Sequence, residues 1–500
     1  MKILNVDQIR ALDQYTIEHE RIAPINLMER AAEAFVDWFV AHFDAKCPVR
    51  VFCGLGNNGG DGLAIARLLM QREYEVQTYI VRHAPRESED FFINHKRLKL
   101  LTTPHYIEQE SEIPVLRPNE IVIDAILGSG LTRPAEGIIR SVIQAINYSP
   151  ARVVSVDIAS GLFANAPNGH ANIIIEPDYT VTFHLPKLAF MQPSNGRYVG
   201  EWHCVDIGLS RSFIDRAPTP YFYTTESETR HLQRQRDRFS HKGTFGHALL
   251  LAGSYGKIGA AVLAARACLR SGVGLLTLQS PRCGYGILQT AVPEAMCVPD
   301  QHERVLTGLT DLEGPALESY SVVGIGPGIG QSPETLAMLQ QVLSQVKKPM
   351  VLDADALNLL AANRSLLSRL PEQTILTPHP KEFERLTRRW TSDYDKLGIL
   401  REFAQRQRVV VVLKGAHTAV ATPDGTVHFN STGNPGMSTG GTGDVLTGVL
   451  TALLAQGYDP VEAAVLGVFE HGRAGDRAAR TRGTMGLTAS DLIENLHWSA

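Results

Sequence analysis

Val49-Arg-Val-Phe-Cys-Gly54-Leu-Gly-Asn-Asn-Gly-Gly-Asp-Gly62 sets a short β-branched, apolar run directly before a glycine-rich loop that opens into helix-like sequence. A strand, a tight loop and a helix in that order aim free backbone N–H groups and a helix dipole at a phosphate or carboxylate. A second cradle, Gly440-Gly-Thr-Gly-Asp444, stands near the other end of the chain and runs into the apolar helix pattern 445–455. The pair implies two active sites that act on phosphorylated small molecules.

Around the first loop, β-branched runs alternate with helical patterns and predict strands over 49–53, 75–81, 121–126, 152–157 and 178–183. Alternation of this kind means a parallel sheet. Leu27, Ala31, Ala34, Phe35 and Trp38 recur at helical steps before the first strand, so helices should pack on the sheet's face. The pattern lapses at Asp215-Arg-Ala-Pro-Thr-Pro220 and at the Arg-rich stretch Arg230–Arg238, read as a solvated helix face or linker edge. A domain boundary is placed near 215–225. Strands are predicted again over 247–252, 274–279, 321–325, 349–353, 373–377 and 409–413. The expected fold class is α/β: two α/β/α domains, the first (1–215) Rossmann-like with a mostly parallel sheet, the second 225–500.

Composition agrees. Five hundred residues exceed one hydrophobic core, and 44% apolar with 20% charged residues is ordinary for a globular protein. A net charge of −4 offers no basic field for nucleic acid. Cysteines at 47, 53, 204, 268, 283 and 297 have neither metal-ligand nor disulfide-framework spacing, which fits a reducing cytosol. No apolar run has the length of a membrane span and no cleavable leader is indicated, so a cytoplasmic enzyme is expected.

Gly54-Leu-Gly-Asn-Asn-Gly59 satisfies G-x-G-x-x-G, with Glu73 and Glu75 about where a ribose-binding acid would be sought. The polar continuation Asn57-Asn-Gly-Gly-Asp61 departs from a redox Rossmann turn. Two more strand ends carry acids, Asp124 in Ile121–Gly130 and Asp157 in Val153–Gly161. In a parallel sheet such ends converge on the binding crevice, although either aspartate alone also suits a turn cap. Asn58, Asp124 and Ser160 together offer oxygens to a hard cation.

The N-G-G-D-G loop, the D-A-I-L-G-S-G-L loop and the D-I-A-S-G turn resemble the NAD(P)H-hydrate epimerase family over about the first 210 residues. The resemblance implies that Asn57, Asn58, Gly59, Gly60 and Asp61, with Gly128, Ser129, Gly130, Leu131, Thr132, Arg133 and Pro134, bind the hydrated dinucleotide. It implies that Asp157 contacts it too, and that Asn58, Asp124 and Ser160 hold potassium. Asp157 suits proton movement and stabilisation of a ring cation in the interconversion of R and S epimers. Lys187 reads as its acid partner, as a phosphate clamp or as a surface lysine.

In the second half, residues 441–443 can offer N–H groups to an oxyanion at the start of a helix, with Asp444 beside them. An aspartate there should have a lowered pKa and be a weak base, which phosphoryl transfer tolerates. The alternative for Asp444 is a helix N-cap. Val409–Leu413 ends in Lys414-Gly-Ala-His-Thr418, a reasonable nucleotide contact. Gly324–Gly330, Asp353-Ala-Asp355 and Thr377-Pro-His379-Pro end further strands. His379 alone reads as a proline-bounded turn residue, Asp353 and Asp355 as turn residues or magnesium ligands.

G-T-G-D with K-G-A-H-T before it resembles the ribokinase-like superfamily, and within it the ADP- or ATP-dependent NAD(P)H-hydrate dehydratases, over about 225–498. This implies that Lys414, Gly415, Ala416, His417, Thr418 and Gly443 contact the nucleotide. Asp444 as base, His379, Gly328 and Ala260 would lie against the hydrate. Lys381 departs from the family's usual glycine and puts the turn at His379 in question. The two resemblances together imply NADH- and NADPH-hydrate repair, with epimerisation followed by dehydration of the S form. ADP is then a cosubstrate released as AMP and phosphate, magnesium serves the phosphoryl transfer and potassium the epimerase site, and the enzyme is a homo-oligomer. A small-molecule kinase in the second half and a non-catalytic dinucleotide-binding regulator are the alternatives. A kinase would accumulate a phosphorylated product, and a regulator would consume no nucleotide.

Overall fold

The computed structural model describes residues 1–169, 171–309 and 315–498. It divides into two compact units, Lys2–Thr219 and Pro220–Ala500, Met1 belonging with the second.

The first unit holds strands β1 (Val49–Cys53), β2 (Val76–Val81), β3 (His105–Ile107), β4 (Ile121–Ala125), β5 (Arg152–Val156), β6 (Tyr179–Phe183) and β7 (Glu201–Val205). They form a sheet of order β3-β2-β1-β4-β5-β6-β7, parallel throughout. Helices α1 (Val6–Glu20) and α2 (Pro24–His42) precede it, and α3 (Asn57–Gln71), α4 (Glu89–Lys99) and α5 (Gly137–Asn147) connect strands. A short α6 (Arg211–Arg216) follows β7. Phe35 and Phe39 of α2 and Leu63, Ile65 and Leu69 of α3 bury against alternate residues Val49, Val51, Cys53, Ile121 and Ile123 of β1 and β4. That period-two pattern fixes which face of the sheet these helices cover. Strand order reverses between β1 and β4, and ligands of such sheets bind beyond the carboxyl ends of the strands at that point.

Among the described residues the second unit has ten strands: β8 (Tyr221–Thr224), β9 (His247–Leu251), β10 (Leu275–Ser280), β11 (Met296–Pro299), β12 (Val322–Ile325), β13 (Met350–Leu352), β14 (Ile375–Leu376), β15 (Val410–Leu413), β16 (Ala419–Ala421) and β17 (Val427–Asn430). Their order is β11-β10-β9-β12-β13-β14-β15-β16-β17-β8. Among the described residues only the β15–β16 and β16–β17 pairs are antiparallel.

Its helices are α7 (Glu226–Leu232), α8 (Ile258–Arg270), α9 (Tyr285–Ala291), α10 (Pro315–Glu318), α11 (Pro333–Gln345), α12 (Ala354–Ala362), α13 (Pro380–Leu386), α14 (Asp393–Gln407), α15 (Thr442–Ala455), α16 (Pro460–Arg482) and α17 (Ala489–Glu494). Helices α8 and α15 cross closely because Gly448 leaves room for the Ala264 carbonyl, which a Cβ would meet at 2.1 Å. Val445, Val449 and Leu450 of α15 then bury with Ala261, Ala264 and Ala265 of α8.

The Arg-rich stretch is largely exposed, in keeping with a solvated face, and two of its guanidiniums lie over rings, Arg234 over Tyr458 at 4.2 Å and Arg236 over Phe245 at 3.8 Å, where they gain from the aromatic faces. Strands β3, β7, β8, β11, β16 and β17 were not predicted. Several are short edge or hairpin strands whose three- to five-residue patterns carry little periodicity. All six cysteines are free thiols. Among the described residues no helix is long and apolar enough to cross a membrane.

Candidate active sites

In the first unit the loop after β1 meets the loop after β4 at the reversal of strand order. Gly54 has no room for a side chain, since a Cβ there would lie 2.0 Å from the Ile126 carbonyl, and Gly59 none, at 1.9 Å from the Gly54 carbonyl. The first intrahelical bond of α3 runs from Gly60 N–H to the Gly56 carbonyl, 3.0 Å, so the N–H groups of Asn57, Asn58 and Gly59 are left for an anion. Gly59 and Gly60 are buried and shape the loop from beneath, while Asn57, Asn58 and Asp61 line a cavity of about 650 Å³. Gly128, Ser129, Gly130 and Leu131 form part of its wall. Thr132, Arg133 and Pro134 are exposed and do not line it.

Asp157 ends β5 with φ 64°, a left-handed conformation uncommon for a residue with a side chain. It is held there by hydrogen bonds: its N–H donates to the Val181 carbonyl at 2.8 Å, and Oδ1 accepts from Thr182 Oγ1 and Phe183 N at 3.1 Å. Lys187 Nζ donates to the same Oδ1 at 2.6 Å, to Thr182 Oγ1 at 2.8 Å and to the Leu185 carbonyl at 3.2 Å. All three ammonium protons are thereby engaged, and the side chain is 4% exposed. Its burial excludes the surface-lysine reading, and Lys187 stands at the cavity wall paired with Asp157.

Asp124 lies fully buried behind the cavity wall. It accepts from Ser160 N at 2.9 Å, Ser155 Oγ at 2.8 Å, Ile126 N at 3.3 Å and Ser160 Oγ. Burial pushes its carboxyl above the usual range against the pull of those bonds. Among the described residues no basic side chain pairs with it. Asn58 Nδ2 and Ser160 Oγ both donate to the Leu127 carbonyl, at 3.1 and 3.2 Å, so the three oxygen-bearing residues converge on one turn. A single carboxylate with neutral oxygens around it and no counter-cation is chemically suited to a hard monovalent ion.

Two carboxyls beside the Asp157–Lys187 pair stand out. Burial raises Asp61 well above the ordinary value, with Asp157, Asp13 and Asp90 adding repulsion. Asp13 on α1 is raised to about 7 by burial and by Asp157, against the attraction of Lys187. Asp13 escaped the sequence reading because residues 6–43 were read only as helices packing on the sheet. The signal was an acid on the stripe Val6, Ile9, Asp13, Ile17, whose spacing gives one helix face, and all four residues line the cavity.

Glu73 and Glu75 lie at the amino end of β2, the edge of the sheet opposite the crevice, which removes the redox Rossmann reading.

In the second unit the loops after β9, β12, β13, β14 and β15 gather beside the start of α15. The N-cap is Gly441 at φ 90°, and the first helical bond is Val445 N–H to the Gly441 carbonyl at 3.1 Å. The free N–H groups are therefore those of Thr442, Gly443 and Asp444, one residue further on than predicted. His471 of α16 holds this turn from beneath, its Nε2 lying 2.9 Å from the Thr442 carbonyl. Burial pushes that imidazole down to about 4, so it is neutral and can donate from Nε2.

Asp444 is the third residue of α15, so it is not the N-cap. Its pKa is also not lowered: burial and the neighbouring Asp353 raise it to about 7, with Lys414 opposing. Desolvation outweighs the helix end here because the site is walled by five strand ends. Asp353 is buried between Lys414 Nζ at 3.0 Å and Thr447 Oγ1 at 2.8 Å. A Cβ on Gly443 would come within 3.5 Å of Lys414 Nζ and 3.7 Å of Asp353. Lys414 and Gly443 are thus adjacent, while Gly415, Ala416, His417 and Thr418 form the turn between β15 and β16. His417 Nδ1 lies 3.0 Å from the Asn430 carbonyl, and Thr418 Oγ1 donates to the Gly415 carbonyl at 3.0 Å.

Gly328, at φ 64°, approaches Ala260, whose Cβ would lie 3.2 Å from a Cβ placed there. Asp355 accepts from Gly330 N at 2.9 Å, Gln331 Nε2 at 3.0 Å and Lys257 Nζ at 3.3 Å. Asp353 and Asp355 are both occupied, and among the described residues no group of three or more acidic, histidine or cysteine side chains is placed to hold a metal ion. Magnesium carried on a nucleotide's phosphates fits this arrangement, whereas an all-protein cage does not. His379 caps α13: Nδ1 accepts from Lys381 N at 3.1 Å, and its own N–H donates to Glu382 Oε2 at 2.9 Å. Lys381 sits exposed on an ordinary helical turn that needs no glycine.

A family model described as NAD(P)H-hydrate dehydratase matches residues 248–497, and one described as YjeF-related protein N-terminus matches 24–189. The bifunctional NAD(P)H-hydrate repair enzyme Nnr of Moorella thermoacetica is 37% identical to this chain, over 99% of it and 96% of its own length. The chain belongs to the bifunctional NAD(P)H-hydrate repair enzyme family. The family member of Escherichia coli K12 is 34% identical over 98% of this chain and 92% of its own. The second unit is similar to a ribokinase-like superfamily protein from Enterococcus faecalis, 28% identical with TM-score 0.50, covering 56% of this chain and 95% of that one.

Proposed function

We propose that this chain repairs hydrated NADH and NADPH in two steps, epimerising the R and S hydrates in its first unit and dehydrating the S form in its second at the expense of ADP or ATP. The observation that carries the reading is Asp444, a base raised to about 7 beside three free N–H groups, in a chain that aligns along its whole length with repair enzymes. In the second site Asp444 takes the proton of the hydrate's hydroxyl as its oxygen accepts the phosphoryl group, and the N–H groups of Thr442, Gly443 and Asp444 meet the developing charge. Phosphate then departs in place of hydroxide, the ring gives up a proton, and reduced nicotinamide is restored. Lys414, fixed by Asp353, lies beside Gly443 where a nucleotide phosphate would be contacted. Magnesium, when bound with the nucleotide, neutralises the transferring group.

In the first site Asn57, Asn58, Asp61 and the wall Gly128–Leu131 receive the dinucleotide. Asp157, paired with Lys187, faces the ring cation. Asn58, Asp124 and Ser160 would hold potassium, whose charge balances Asp124 and stiffens the turn at Leu127.

The test mixes the full chain with both hydrate epimers, ADP, magnesium and potassium, and follows reduced-nicotinamide absorbance with AMP and phosphate. Complete recovery from both epimers with equimolar AMP and phosphate is expected. A phosphorylated alcohol that accumulates would establish the kinase alternative instead. Potassium makes a separate prediction. Replacing it by choline should lower epimerisation and the unfolding temperature of the first unit, and Asp124→Asn should abolish the dependence on potassium in calorimetry. Equal melting in both salts would remove the potassium assignment.

A further inference from the structure

The N-terminal cavity holds more acids than its ion pair requires. Asp157 is matched by Lys187, yet Asp13 reaches the same cavity from α1 with no hydrogen-bond partner among the described residues. The groups that face the cavity with it are Arg10 on α1, Asp61 on α3, His83 after β2, Asp90 on α4, Asp157 after β5 and Lys187 after β6. Helix α2 faces it with Pro24, Leu27, Met28 and Ala31, none of which titrates. Arg10, one turn before Asp13, is directed at the Gly130 wall, where a Cβ would lie 2.5 Å from its Nη2, so it is not the partner of Asp13.

This arrangement separates two carboxyl roles. Asp157 is fixed in place, its Oδ1 saturated by Lys187 Nζ, Thr182 Oγ1 and Phe183 N–H. Asp13 is unbonded and half-buried, free to carry a proton. Epimerisation runs in both directions through the same intermediate, so its acid must become its base with equal ease, and a group titrating near neutrality does both. Burial and Asp157 place Asp13 at about 7.

We propose that Asp13 is a catalytic acid–base residue of the epimerase reaction. The proposal rests on the epimerase reading of the first unit. The Asp13 carboxyl gives its proton to the hydroxyl, the C–O bond breaks with its electron pair on oxygen, and water leaves a ring cation opposite Asp157. Water then forms the new C–O bond from its lone pair, and its surplus proton returns to the Asp13 carboxylate. Addition on the original face restores the starting epimer and addition on the other gives its partner. No oxidant or reductant is involved.

The experiment uses the full chain and one purified epimer in H₂¹⁸O without nucleotide, so that the second site is idle, and reads epimer ratio and ¹⁸O at the hydroxyl carbon across pH 5–9. The wild type should exchange ¹⁸O as it epimerises, with an inflection near 7. Asp13→Asn should slow both by about 10²–10⁴-fold and remove that inflection. Asp13→Asn that keeps within threefold of the wild-type rate, or the same inflection, overturns the proposal. If that variant does not unfold cooperatively, Asp13→Glu decides: activity with a displaced inflection supports the role, and an undisplaced inflection overturns it. A wild-type chain that turns neither epimer overturns the epimerase reading and this role with it.

Discussion

Asp444→Asn should lower nucleotide-dependent recovery of NADH from the S hydrate by about 10²–10⁴-fold while epimerisation continues unchanged. Asparagine keeps the shape of the side chain and its place in the first turn of α15 but cannot take the hydroxyl proton. With burial and Asp353 holding Asp444 at about 7, wild-type kcat/KM should rise with pH through that value and level off above it. The variant's residual rate should lack the rise. The same shift acts on stability with a definite sign. An aspartate raised in the folded state binds its proton there more tightly than in the unfolded chain, so folding loses stability as pH climbs from about 4 to 7. Asp444→Asn should therefore melt higher than wild type at pH 8, and the advantage should vanish below about pH 4, where both states of the wild type are protonated. Full dehydratase activity in the variant, with its pH rise intact, would remove Asp444 as the base.

Lys187→Met should be the most destabilising single change in the first unit. Lys187 is 4% exposed and its partner Asp157 15%, so removing the ammonium strands a carboxylate among Thr182, Phe183 and apolar surroundings. Losing one member of a buried pair costs about 3–5 kcal/mol, more than the pair itself contributes relative to an apolar replacement. Denaturant unfolding of the full chain should show the first transition move to lower denaturant while the second stays in place. The double variant Asp157→Leu/Lys187→Met should recover much of that loss without recovering epimerisation. That split distinguishes a charge-compensating lysine from a simple packing residue, because a packing role would leave the double variant as unstable as the single one.

Much of the fold was legible in short stretches. Val49–Cys53 reads as a buried strand because every residue but Arg50 is apolar or small, and the glycines after it are required by close backbone approach at Gly54 and Gly59. The same reasoning found the Gly440–Asp444 cradle. It failed at Met296–Pro299 and Ala419–Ala421, an edge strand and a hairpin strand too short for their alternation to stand out. Nor could it show Arg234 over Tyr458 and Arg236 over Phe245, because charge in a sequence does not reveal an aromatic ring across the fold.

The sequence by itself determined the alternation of strands and helices, the two anion cradles and the acids at the strand ends, because periodicity, glycine and turn chemistry act over a few neighbouring residues. Tertiary structure alone decided the protonation chemistry. It brought Asp13 from α1 against Asp157, closed Lys187 onto that aspartate, gathered Asn58 and Ser160 on the Leu127 carbonyl with Asp124 bonded to Ser160, and buried Asp444 beside Asp353. Each of these sets a charge through desolvation and through partners far apart in the chain, and neither exists until the sheet and its helices have packed.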